Sequence, residues 1–194
     1  MNFLYRFRGV ILGIFAVALW AFPHSSEWIP ASAGILALLG IVLRVEARRV
    51  IGEHTRGNEK AAPELVMWGI YAKLRHPLYL SNLCFCYAFV LFHLGWQTLS
   101  FAFAMGVTLF VFPLAKAEDV FLKKKFGERF VNWANRTPMF FPTSFSAAQG
   151  ECASSGVKRS VLASVLADRW TWVWLIFYTL LLFVRQFVEL PVLL

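Results

Sequence analysis

Five stretches of this 194-residue chain are apolar enough, and nearly long enough, to leave water altogether. They run from about Leu4 to Phe22, Trp28 to Leu43, Leu78 to Leu94, Trp96 to Ala115 and Trp170 to Val188. Crossing about 30 Å of hydrocarbon takes about 20 helical residues, with a short limit near 17. Inside hydrocarbon the backbone must satisfy its own polar groups, which leaves helices as the form these runs can take. Only 15% of the residues are charged, against about 25% in soluble domains. The expected fold is therefore all-α: a polytopic membrane protein with about five transmembrane helices in one domain spanning 1–194.

The net charge of +8 would suggest nucleic acid in a soluble chain. Here the cations flank apolar runs, so nucleic acid is set aside in favour of membrane lipids and topology signals. Arg6 and Arg8 open the chain, seven basic residues lie from Arg44 to Arg75, and nine from Lys116 to Arg169. The turns at 22–27 and 94–96 carry none. This alternation predicts a cytoplasmic amino terminus and, with five spans, an external carboxyl terminus. Arg185 falls on the outer side, where Glu189 one turn on could pair with it.

The organisation expected is an amino-terminal helical hairpin over 1–43, a core over 44–142, a cytoplasmic linker over 143–169 and a fifth span over 170–194. Pro23 stops the first helix, while Ser25 or Ser26, with Glu27 and Pro30, would start the second. The first span resembles a signal peptide, but the small residues Ala31-Ser32-Ala33 lie too far on for cleavage. Leu94-Gly95-Trp96 makes a second tight turn. From Lys116 to Asn135, Lys123, Lys124, Lys125 and Arg129 alternate with Phe121, Phe126, Phe130 and Trp133, predicting a cytoplasmic interfacial helix in the headgroup layer, ended by Pro138 and Pro142. Thr143 to Gly156 reads as linker. Cys84 and Cys86 point to opposite helix faces and Cys152 stands alone, so no disulfide framework or metal pattern is present.

Chemistry concentrates in two places. In the first, Gly69-Ile-Tyr71-Ala-Lys73-Leu-Arg75-His76-Pro77-Leu-Tyr79-Leu-Ser81-Asn82 leads into the third span. Pro77 suits a first helical position. Arg75 and His76 then precede a helix start, where free N–H groups and a guanidinium attract an anion. Tyr79 and Asn82 follow at one-turn spacing. A basic membrane anchor would look similar. In the second, Glu118-Asp119 follows the fourth span, where adjacent carboxylates are costly unless paired or used. Neighbouring lysines could neutralise them. The tight turn at Gly95 returns them to the membrane face of His76, so a cationic and an anionic end would face each other, which suits a zwitterionic amino-acid group. His54, His24 and His93 show no metal spacing, and the last two read as residues of the outer turns.

Together, G-x-Y-x-x-x-R-H-P-x-Y from Gly69 to Tyr79, an apolar hairpin, E-D-x-x-L-x-x-x-F-G-x-x-F from Glu118, and Pro138 with Pro142 resemble the isoprenylcysteine carboxyl methyltransferases and the related membrane phospholipid methyltransferases. The resemblance covers about Gly40 to Pro142. It implies a helical membrane methyltransferase that uses S-adenosylmethionine, needs no metal, and takes a lipid-like or prenylated acceptor at the cytoplasmic face. It assigns Arg75, His76 and Tyr79 to catalysis, and His76, Tyr71, Tyr79, Asn82, Glu118 and Asp119 to the cofactor. Arg75 would hold a carboxylate, Glu118 the cofactor's amine or ribose, and Tyr79 would orient the donor. Departures fall at Asp119, where many relatives have a second Glu, at Phe130 and Trp133 in place of Tyr, and at Met139 in place of Arg. They bear on the acceptor more than on methyl transfer. A nicotinamide-dependent membrane reductase and a non-enzymatic membrane scaffold are the competing readings; the scaffold predicts that Arg75, His76 and Glu118 point to separate places.

Overall fold

The computed structural model describes residues 7–24, 30–51, 64–141 and 158–187. Arg6, the proposed caps Ser25, Ser26 and Glu27, His54, Pro142, Cys152, most of the 143–169 linker and Glu189 lie outside them. The described residues form seven α-helices and one short 3-10 turn, with no strand among them. The helices are α1 (Arg8–Ala21), α2 (Ala31–Ile51), α3 (Pro77–Leu94), α4 (Thr98–Phe126), α5 (Glu128–Arg136), α6 (Val161–Ala167) and α7 (Arg169–Arg185). The 3-10 turn spans Gly69–Ala72.

Their ends follow local chemistry. Phe22, held extended at φ −74° and ψ 148° by the following Pro23, closes α1. Pro77 begins α3, where its missing N–H costs nothing. Gly95 takes φ +67° beyond α3 and donates its N–H to the Leu91 carbonyl at 2.9 Å. Ser100 Oγ donates to the Gly95 carbonyl at 2.6 Å, which fixes the tight turn into α4. Ser160 caps α6 by accepting from the Ala163 N–H.

Two helices, α3 and α4, are long and apolar enough to cross a bilayer, and a third span results if the sharply bent pair α6 and α7 is counted as one. The helix α1 is shorter, and α2 carries Arg44, Glu46, Arg48 and Arg49 in its second half. The chain is thus an integral membrane protein. Two expectations change. The fourth span and the interfacial helix are not separate, because α4 continues for 29 residues to Phe126 before Gly127, at φ +55°, breaks it. The apolar side of α5 does not face headgroups: Phe130 and Trp133 are buried in protein. In addition, α6 forms inside the stretch expected to be linker.

The chain divides into two compact units. The first comprises Met1–Gly40, Asn82–Phe112 and Arg169–Leu194. Its core is Leu19, Val90 and Leu94, flanked by Phe22, Phe89, Leu99 and Phe103. Polar side chains here reach backbone carbonyls across helices. Tyr178 donates to Ala16 at 2.6 Å, and Arg185 Nε to Trp20 at 3.3 Å. Val17, Leu109 and Trp174 are each 66% exposed, an apolar outer surface suited to lipid.

The second unit comprises Ile41–Ser81 and Pro113–Asp168. Ala47, Leu65, Met67, Tyr71, Phe130 and Trp133 form its core. Trp133 Nε1 donates to the Tyr71 carbonyl at 3.2 Å, tying α5 to the 3-10 turn. Gly69 is required at its place: φ is +61°, and an added Cβ would stand 2.6 Å from a Val50 methyl.

Candidate active site

The second unit supplies the site. Its centre is Asp119 on α4. One carboxylate oxygen lies 2.9 Å from His76 Nε2, and the other lies 3.2 Å from an Arg75 terminal nitrogen. A carboxylate only accepts, so His76 Nε2 carries the hydrogen. The second terminal nitrogen of Arg75 donates to the Ala134 carbonyl on α5 at 3.1 Å. One acidic residue thus joins the bend before α3, helix α4 and, through Arg75, helix α5.

The backbone of the bend is equally engaged. The Arg75 N–H donates to the Pro138 carbonyl at 2.9 Å and the His76 N–H to the Met139 carbonyl at 3.2 Å. The N–H groups of Arg75 and His76 are therefore taken, and Asp119 is an anion already beside the bend. Prolines are suited to this junction: Pro138 contributes a carbonyl without needing a partner for an N–H. His76 is buried, with the Tyr79 ring edge-on at 5.6 Å and the Phe140 ring at 6.2 Å.

Glu118 plays a different part from its neighbour. It is half-buried and sits close enough to Tyr71 to act on it electrostatically. Burial chiefly, with the Glu118 charge adding, pushes the Tyr71 phenol well above its usual value, while Arg48 and Arg44 oppose this. Tyr71 is accordingly a permanent hydroxyl donor in a charged neighbourhood. Behind it, Asp168 bridges Arg44 Nε and an Arg48 terminal nitrogen, the latter at 3.0 Å. All three side chains are under one-tenth exposed. Burial lowers the Arg44 value, and the Asp168 charge counteracts it.

Of the residues singled out by sequence, Tyr71, Arg75, His76, Tyr79, Glu118 and Asp119 all lie in this unit. Asn82 lies one turn beyond Tyr79 on α3, half-buried, and belongs to the first unit. The direct contact between Asp119 and the bend was expected to be a gap between opposed charges. Sequence reading overlooked Asp168, Phe140 and the role of Arg44 and Arg48, which it took as topology signals. The i,i+4 spacing of the two arginines was the available clue.

Comparison with known proteins gives the chain a family. The family model for phospholipid methyltransferases matches residues 28–129. The chain is 34% identical over 151 residues to the cobalt-zinc-cadmium resistance protein CzcN of Cupriavidus metallidurans, covering 73% of this chain and 66% of that protein. It is 32% identical over 153 residues to the nickel-cobalt-cadmium resistance protein NccN of Alcaligenes xylosoxydans xylosoxydans, covering 73% of this chain and 67% of that one. The chain thus spans about two thirds of the length of these curated relatives. No solved structure matches it. With the family pattern covering more than half its length and the motif residues gathered on one charged bridge, this chain belongs to the phospholipid methyltransferase family.

Proposed function

We propose that the chain transfers a methyl group from S-adenosylmethionine to a lipid-like acceptor, at the cytoplasmic face of the membrane. The observation that carries this reading is the bridge of Arg75, His76 and Asp119 with Glu118 and Tyr71 beside it. Asp119 is committed to the bend, whereas Glu118 takes no part in that bridge and lies next to a hydroxyl donor. Glu118 and Tyr71 therefore fit an ammonium and ribose hydroxyls, and the carboxylate end would fall to Arg75, whose Nε has no hydrogen-bond partner among the described residues. When bound, the cofactor supplies an electrophilic methyl on a sulfonium. The chain's task is alignment, which can contribute roughly 7–11 kcal/mol, and exclusion of water. His76, oriented by Asp119, holds a proton at Nε2 and lies against Tyr79, which would orient the reacting groups. A carboxylate acceptor is already ionised near neutrality and asks no base; an amine acceptor would lose its proton toward His76. The resistance names of the two relatives lend a context of divalent-metal stress without naming an acceptor.

The test is S-adenosylmethionine binding by the full chain in detergent, before and after His76→Ala and Glu118→Ala. Both substitutions are expected to weaken binding. Unchanged affinity in both would end the assignment, and binding of NADPH instead would favour a reductase.

A further inference from the structure

We propose that His24 and His93 form a second site, in the first unit, which binds a divalent transition-metal ion such as zinc or cobalt. It is independent of the methyl-transfer reading. His93 is the penultimate residue of α3 and is wholly buried. Its Nε2 lies 2.9 Å from the Phe22 carbonyl oxygen. A carbonyl only accepts, so Nε2 carries the hydrogen and Nδ1 presents a bare lone pair. That Nδ1 is buried and has no hydrogen-bond partner among the described residues; the same holds for His24 Nδ1. Two such atoms left unmatched on neighbouring rings are costly. A shared Lewis acid would satisfy both.

The geometry agrees. The two ring centroids are 5.5 Å apart, at an interplanar angle of 49°. With metal–nitrogen bonds of about 2.0–2.1 Å and a tetrahedral angle, two imidazoles on one ion place their centroids about 5 Å apart. The hydrogen bond from His93 to a backbone carbonyl is the orienting partner that metal-binding histidines characteristically have. Neutral nitrogen donors select zinc, cobalt or nickel over magnesium and calcium, which take oxygen ligands. No three His, Cys, Asp or Glu side chains converge among the described residues, so these two imidazoles are the side chains the site offers. Arg185 lies close enough to act on His93 electrostatically. Its like charge makes the site a weak, exchangeable one. Sequence reading assigned both histidines only to the outer turns, because they come from distant segments with no motif spacing.

The experiment titrates the untagged full chain in detergent with cobalt chloride, reading visible absorption, with zinc chloride and magnesium chloride as competitors. Saturable cobalt binding, displaced by zinc and not by magnesium, is expected. His24→Ala and His93→Gln should each weaken it by at least about tenfold. Glutamine retains an N–H for the Phe22 carbonyl while removing the Nδ1 ligand, and if that variant fails to fold, His24→Ala decides alone. The absence of saturable binding, displacement by magnesium, or binding unchanged in His24→Ala, as ligation by Cys84 or Cys86 would give, overturns the proposal.

Discussion

Replacing Asp119 by Asn should separate the two neighbouring carboxylates into a structural and a ligand-facing one. The amide would keep one acceptor oxygen but lose the charge shared by Arg75 and His76. Hydrogen bonds to charged groups contribute about 1.5–3 kcal/mol each. The Arg75 and Asp119 side chains are 16% and 17% exposed, so solvent screens part of this, and only part of each bond is lost. A net cost of about 2–3 kcal/mol follows. For a chain of this size that lowers Tm by roughly 4–12 °C. Thermal unfolding in detergent, followed by the fluorescence of the eight tryptophans, reads the shift. Glu118→Gln, outside the bridge, should leave Tm within about 2 °C yet weaken S-adenosylmethionine binding. If Asp119→Asn leaves Tm unmoved, or Glu118→Gln lowers it equally, the division of labour between the two acids is wrong.

Two further outcomes follow from the second unit. Asp168→Asn removes the charge shared by two buried guanidiniums, and breaking such a pair costs about 3–5 kcal/mol; the variant should lose at least about 6 °C in Tm, and a shift under about 2 °C would refute the importance of that charge. Burial raises the Glu46 value, but hydrogen bonds from Lys158 and Arg49 outweigh it and hold the carboxyl below the usual 4.5. A depressed folded value gives stability that is present above pH 4.5 and lost as pH falls through the folded value. The stability gap between the native chain and Glu46→Gln, no more than about 1 kcal/mol for a partly exposed pair, should therefore close in acid; a gap that stays constant down to about pH 3 refutes it.

Much of this architecture was legible in the sequence, and the parts that were not share a physical cause. Proline and glycine marked the end of α1, both ends of α3 and the turn into α4, because their constraints act within one or two residues; the break at Gly127 was read through. The association of the Arg75-His76 bend with the Glu118-Asp119 pair was also legible, through one tight turn and two motifs. Which acid touches the bend was not. Adjacent helical residues differ in direction by about 100°, and only the register of α4 decides between them. The alternation of lysines and aromatics after Lys116 suits a headgroup helix and a protein-packed one equally; the Tyr71 carbonyl that receives Trp133 Nε1 settled it. Asp168 looked like any loop acid, because its arginine partners lie 120 or more residues earlier.

The run of α4 carries the acid pair on the same helix as an apolar span, with Pro113 inside it. Twenty-nine residues span about 44 Å, against about 30 Å of hydrocarbon, so the helix is longer than the oily layer is thick. Thinner or thicker membranes are accommodated by tilting such a helix. The surplus length lies in the turns that carry Glu118, Asp119 and the three lysines, so the apolar part can meet bilayers of different thickness without drawing those charges into oil.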